Sequence, residues 1–289
     1  DDAEAHSNLG VALRNLGQLD EAVSSYRRAL EIKPDFADAH SNLGNALRDL
    51  GQPIDAVESY RRALEIKPDF AGAHSNLGIA LRDLGQLDAA VASYRRALAI
   101  KPDFAEAHSN LGTALRDIGR LDEAVASYRR ALQINPDYAE AHSSLGVSLG
   151  DLGQVDGAVA SYRRALEIEP DFAGAHSNLL FCLSHDTTVD AASLFAEHCR
   201  FGEQFEAPLR ATWPRHANSR DPDRALHIGF VSGDFRNHAV ANFIEPVLAQ
   251  LAGYAHLSLH GYSNHAVEDA VTRRLRGHLT HWRPIVGLS

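Results

Sequence analysis

Asp234 and His238 stand four residues apart in "VSGDFRNH" (231–238), a polar loop that follows the apolar run "LHIGFV" (226–231). An imidazole whose ordinary pKa lies near 6.5 suits proton transfer at neutral pH. A carboxylate just upstream can orient such a loop or cap the helix that follows. The residue types alone allow His238 a proton-handling role or a loop or capping role, and Asp234 an orienting or capping one. A second chemistry is spread along the chain. Asn8, Asn42, Asn76 and Asn110 fall 34 residues apart, and Asn178 keeps the phase after Ser144 interrupts it. A side-chain amide donates and accepts at once, as a peptide unit does, so a stacked column of them can hold an extended chain by its backbone. Asp49, Asp83 and Asp117 flank the column on one side and Glu4, Asp38 and Glu106 on the other, favouring Lys or Arg on that chain. The alternative is that the asparagines only solvate a groove.

These residues need elements to position them, and the same 34-residue spacing supplies them. It relates His6, His40, His74, His108, His142 and His176, the prolines from Pro34 to Pro170, the tyrosines from Tyr26 to Tyr162 and the glycines from Gly10 to Gly146. Each unit carries one helical segment such as "AEAHSNLGVALRNLG", a glycine such as Gly17, and a second segment such as "LDEAVSSYRRALEI". The intervening glycine suits the left-handed conformation beyond a helix end. Pro53 suits a helix start. Gly10 within the first helix costs about 1 kcal/mol relative to alanine, which close approach of the paired helix would offset. Ala5, Leu9, Ala12 and Leu16 form an apolar stripe, with Glu4, Asn8, Val11 and Asn15 about a quarter turn away.

This pattern resembles the tetratricopeptide repeat over residues 1–180, as five repeats and the first helix of a sixth. It implies a right-handed α-solenoid whose inner groove takes protein or peptide partners. The histidines are too far apart to share a metal ion. They read as half-buried packing residues where the repeat usually has a large aromatic, and no metal site is expected. The paired arginines of "SYRRAL" read as a solvated outer face, through which self-association into a homodimer is open.

Bulk properties narrow the partners. The 289 residues are 45% hydrophobic and 23% charged, which is globular in character. A net charge of −10 argues against a nucleic-acid backbone as principal partner. No run is apolar for long enough to span a bilayer. Cys182 and Cys199 alone are weak grounds for a disulfide, so a reducing, cytoplasmic setting is the default. The chain lacks methionine and opens inside a repeat, as an excised fragment would.

Beyond Leu180 the rhythm decays. Residues 181–209 read as irregular capping helices with Leu194, Phe195, His198 and Phe205 spaced for burial, and 210–224 as a linker. Strand-like segments at 226–231 and 256–263 alternate with helical ones at 239–252 and 267–279. A third strand begins in "HWRPIVGL", the opening of a parallel α/β sheet. In such sheets ligands gather at the carboxyl ends of the strands, where "SGDFRNH" lies.

An array leading into "IGFVSGDFRNHAVANFIEPVL" and "YSNHAVEDAVTRRLRGHLTHWRPIVGLS" resembles the bacterial relatives of O-GlcNAc transferase. The fold class expected is thus mostly α, a solenoid followed by a partial α/β segment, Rossmann-like and matching the first lobe of a GT-B catalytic domain. The resemblance implies inverting transfer of N-acetylglucosamine from UDP-GlcNAc to Ser or Thr hydroxyls, with His238 matching the active-site histidine. Residues 225–289 would be only the start of that domain. No cofactor is expected in this segment, UDP-GlcNAc being the donor substrate of the parent protein. A related protein O-fucosyltransferase and a non-enzymatic adaptor are the alternatives.

Overall fold

A computed structural model of the chain describes residues 2–213, 221, 224–265 and 268–286. Contacts divide it into two units, Asp1–Thr212 and Trp213–Ser289. In the first unit, six first helices alternate with second helices. The first helices are α1 (Ala3–Asn15), α3 (Ala37–Asp49), α5 (Ala71–Asp83), α7 (Ala105–Asp117), α9 (Ala139–Asp151) and α11 (Ala173–His185). The second helices are α2 (Leu19–Ile32), α4 (Pro53–Ile66), α6 (Leu87–Ile100), α8 (Leu121–Ile134), α10 (Val155–Ile168) and, last, α12 (Ala191–Phe201).

Each hairpin closes on a glycine and a tyrosine. Gly10, Gly44, Gly78, Gly112 and Gly146 lie against the rings of Tyr26, Tyr60, Tyr94, Tyr128 and Tyr162, where an added Cβ would come within 2.6–2.8 Å of ring carbons. The close approach of the paired helix is thus made by a buried tyrosine ring. At the turn, Gly17, Gly51, Gly85, Gly119 and Gly153 take φ between 71° and 79°. Gln18 N–H reaches Leu13 O at 2.9 Å and Gly17 N–H reaches Arg14 O at 3.0 Å, the paired bonds of a Schellman ending. Pro53 opens α4, where its missing N–H costs nothing.

Hairpins stack because the apolar stripe of each first helix packs on the second helix before it, α2 on α3 and α4 on α5. Ala39, Leu43 and Ala46 are buried in α3, as are their counterparts in α7. Their counterparts in α1, Ala5, Leu9 and Ala12, are exposed, Leu9 by 50%, as is Leu16 just after the helix, by 75%. That part of the expected stripe lies open because α1 packs chiefly on α2 and α3, which meet the face of Ala3, Ser7 and Gly10. The histidines do more than pack. His40, His74, His108 and His142 each donate Nε2–H to the carbonyl of Pro34, Pro68, Pro102 or Pro136 at 2.9–3.0 Å. Lys33, Lys67 and Lys101 lie over the rings of Phe36, Phe70 and Phe104 in the same connections, 4.8–4.9 Å from the centroids.

The sixth hairpin departs from this scheme. His176 is buried and binds Glu197 Oε1 at 3.1 Å, while Gln204 takes the Pro170 carbonyl. Phe201 and Phe205 set their rings edge-on to the imidazole. The inward face of α12 therefore runs through Leu194, Glu197 and Phe201. The expected burial of Phe195 and His198 is incorrect: Phe195 is 71% exposed and His198 also faces out, because neither shares that face. A π-helical turn (Gly202–Glu206) and a 3-10 turn (Ala207–Thr212) follow. The rest of the expected linker, 214–220 and 222–223, lies outside the described residues. Cys182 and Cys199 are both free thiols.

The second unit holds β1 (Leu226–Ser232), α13 (Ala239–Leu251), β2 (Leu257–Ser263), α14 (Ala270–Arg276) and β3 (His281–Pro284). The strands form a parallel sheet in the order β1-β2-β3, with Leu226 opposite Leu257 and His260 opposite His281. Leu248 and Leu275 from the helices pack on Ile228, Phe230 and Leu259 on one face. The second helix is shorter than its apolar pattern predicts. It starts only after Asp269 and ends before Gly277.

Two expectations test the array. Gly78→Ala should lower stability by about 1–3 kcal/mol in a urea melt, through overpacking on Tyr94. A gain of up to about 1 kcal/mol, as helix propensity alone demands, would remove the ring as the reason for the glycine. Burial also holds His74 and His108 below the ordinary imidazole value, so the fold favours the neutral rings. The unfolded chain then takes up protons first as pH falls through about 6.5, so stability should drop there and level off below the folded-state values. Melts at several pH values should show a smaller drop in a His74→Phe, His108→Phe double variant.

Candidate functional site

Two places carry the candidate residues. Along the first helices, Asn8 is exposed and Asn42, Asn76, Asn110 and Asn178 are half-buried, all on one uncovered face. Ser144 holds the fifth place. The column is not uniform. Asn45 Oδ1 accepts both the Tyr60 hydroxyl at 2.7 Å and the Asn76 amide at 3.0 Å. Asn76 thus spends a donor inside the protein. The tyrosine beneath each glycine reaches through to this face. Thr113 meets Tyr128 Oη at 3.0 Å, whereas Ile79 leaves the buried Tyr94 hydroxyl without a partner. Burial pushes the Tyr60 and Tyr94 phenols up, so both stay protonated donors.

The carboxylates beside the column are partly neutralised. Arg14 Nε reaches across one repeat to Asp49 Oδ2 at 2.7 Å, with Arg48 3.5 Å from the same carboxylate, and Arg116 lies 3.6 Å from Asp117. Among the described residues Asp83 makes no such ion pair. An arginine series at 14, 48, 82 and 116 therefore accompanies the aspartates. Its signal was present at the same 34-residue spacing, one residue before each aspartate. Gly150 breaks the series, and nothing lies within 4 Å of where its Cβ would stand. Beside it opens a cavity of about 330 Å³ lined by Val147, Asp151, Tyr162, Asn178 and Phe181.

The second place is the carboxyl edge of the sheet. The β1–α13 loop is anchored from below by Phe235, buried in the core 5.7 Å from the Trp282 ring. Ser232 Oγ accepts from Asp234 N–H at 3.0 Å, and Ser232 O accepts from Asn264 N–H at 3.1 Å. His238 caps α13: its Nδ1 accepts Val240 N–H at 3.2 Å. Of the two residues open to a capping role, His238 makes the cap and Asp234 does not. Asp234 instead sits between Arg236, at 3.7 Å, and His238 Nδ1, at 3.8 Å. In the neutral ring this cap leaves the proton on Nε2, and the imidazole is 42% exposed. His238 and Asp234 are thus brought together at the start of α13, and no hydrogen bond to Nε2 is found among the described residues.

Asp269 was not singled out in the sequence. Its Oδ2 accepts Asn237 N–H at 2.6 Å, while Oδ1 accepts Thr272 N–H at 2.8 Å and Thr272 Oγ1–H at 3.0 Å. These donors, Thr272 first, hold its carboxyl down to about 2. The "D-x-x-T" spacing before a helix was the available signal for the cap, though not for the bond to Asn237.

The tetratricopeptide-repeat model matches residues 12–51, 44–81, 78–116, 112–153 and 148–179, more than half of the chain. The chain is a tetratricopeptide-repeat protein. Among solved structures, this repeat protein is 32% identical to a mutant form of Thermobaculum terrenum O-GlcNAc transferase, with a TM-score of 0.56. That likeness covers 76% of this chain and 42% of the other, so the chain spans less than half of that enzyme's structure. It is also 41% identical over 76 residues to a Petunia hybrida protein named as a probable UDP-N-acetylglucosamine–peptide N-acetylglucosaminyltransferase SPINDLY. The match takes in 25% of this chain and 8% of that relative. YrrB, described as a repeat protein with an unusual peptide-binding site, is 26% identical with a TM-score of 0.50, over 60% of this chain and 90% of its own.

Asn45→Ala should cost about 1–3 kcal/mol in a urea melt, because it strands the buried Tyr60 hydroxyl. Asn110→Ala, which breaks no internal bond, should stay within about 0.5 kcal/mol. Equal losses would mean that Asn45 braces nothing.

Proposed function

We propose that this repeat protein is part of a protein O-glycosyltransferase that transfers N-acetylglucosamine from UDP-GlcNAc to hydroxyls of protein substrates. In this reading residues 1–180 hold the substrate chain, 181–209 cap the array, 210–224 link, and 225–289 begin the catalytic domain. The observation that carries it is the continuation of the array into a parallel βα unit whose first loop presents His238 at the carboxyl edge of the sheet. The likeness to the Thermobaculum enzyme, spanning more of the chain than the repeats alone, supports it. No helix among the described residues is long and apolar enough to cross a membrane; a cytoplasmic place of action is part of the proposed reading.

On the substrate side, Asn42, Asn110 and Asn178 keep both amide groups available to a peptide backbone, while Asn76 retains its oxygen. YrrB's peptide-binding site supports a peptide role for such a face. Within the sheet-edge loop, His238 is the proton-handling or hydrogen-bonding group and Asp234 its neighbouring charge.

The test follows UDP release by the full-length protein from UDP-GlcNAc with an acceptor peptide present. Peptide-dependent release should fall by about 100-fold or more in His238→Ala, with the fold intact by circular dichroism. Release from GDP-fucose instead would move the reading to a fucosyl donor. No turnover with either donor would leave a non-enzymatic adaptor.

A further inference from the structure

We infer that Asp269 is a positioning residue for His238, fixing the tautomer in which that histidine meets its ligand. The argument starts from the two halves of one carboxylate. Oδ1 closes the capping box of α14 through the amide and hydroxyl of Thr272, whose side chain is buried. Oδ2 is left over from that task and reaches 32 residues back in sequence to the amide of Asn237. At 2.6 Å this is a short, charge-assisted bond, the strong class of hydrogen bond.

Asn237 immediately precedes His238, so the bond fixes the Arg236–Asn237 peptide, one residue before the backbone that carries the imidazole. Phe235 pins the same loop two residues earlier. Between these anchors His238 takes extended backbone, φ −147° and ψ 155°, and turns Nδ1 onto Val240 N–H. A nitrogen that accepts from an amide cannot carry a proton of its own in the neutral ring. Nε2 of this part-exposed ring therefore bears it. As held here, His238 offers a hydrogen-bond donor to a substrate oxygen, and acting as a base requires Nδ1 to leave Val240. Among the described residues Asp269 makes no hydrogen bond to the imidazole, and it acts through the backbone.

The experiment reads the tautomer directly, by nitrogen-15 NMR of the histidine rings in this chain. The His238 signal is assigned by its loss in His238→Gln. Wild type should show His238 as a single Nε2–H tautomer at pH 8. Asp269→Ala should give a mixture of both tautomers, with circular dichroism unchanged. Thr272→Ala weakens the α14 cap yet keeps the Asn237 bond, so it should leave the single tautomer in place. An unchanged His238 in Asp269→Ala, or the same mixture in Thr272→Ala, would overturn the proposal. Should Asp269→Ala not fold, Asp269→Asn keeps one acceptor oxygen for Thr272, and it should show the mixture while α14 persists.

An activity arm rests on the glycosyltransferase reading. In the full-length protein, Asp269→Ala should lower kcat by about tenfold to a hundredfold with the peptide KM held, as misplacement of a reacting group does. An absence of transfer in the wild-type protein would defeat the glycosyltransferase reading and leave the tautomer result standing. Unchanged kcat in an active protein would defeat the positioning role.

Discussion

The array depends on one contact repeated five times, a tyrosine ring seated on a glycine of the paired helix. The ring sets how near the two helices of a hairpin approach, because any Cβ at that glycine would collide with it. Helix separation in turn decides which residues face the next hairpin, so the apolar stripe and the uncovered asparagine face both follow. The ring has a second consequence. Its hydroxyl emerges among the groove-side polar residues, where Asn45 and Thr113 receive it and Ile79 does not. Core packing and the chemistry of the candidate binding face thus share a residue.

The histidines and the cap show how one residue type serves two ends. Within the array, Nε2 ties each repeat to the proline carbonyl of the connection before it. At the sixth repeat Gln204 occupies that carbonyl, and the freed imidazole turns to Glu197 of α12. A regular staple becomes the bond that holds the irregular last helices. In the second unit the same division appears in one carboxylate, Asp269, which caps a helix with one oxygen and steadies a loop with the other.

Much of this was legible in the residues. Gly17 and its equivalents announced the left-handed turns, Pro53 announced a helix start, and the alternation of apolar runs announced a parallel α/β unit. The outward turn of Phe195 and His198 was not legible, because a short irregular helix fits several faces equally well. Nor was the neutralisation of Asp49: its strongest partner, Arg14, belongs to another repeat, 35 residues away. The cap on α13 fell to His238 rather than Asp234 because the buried Phe235 fixes where the loop turns.

The residues alone implied the period, the helix pairs, the capping glycines and the succession of strand and helix from Leu226 onward. These rest on short-range rules, such as the 3.6-residue stripe, the conformational freedom of glycine and the fixed φ of proline. Only the tertiary structure decided which asparagine amides are spent internally, which carboxylates keep an arginine, and how Asp269 reaches Asn237. The farthest-reaching of those pairings join groups 31 to 35 residues apart, and their geometry depends on how the helices and strands stack. Periodicity places a residue on a face; it does not say which neighbour across that face will take its hydrogen bond.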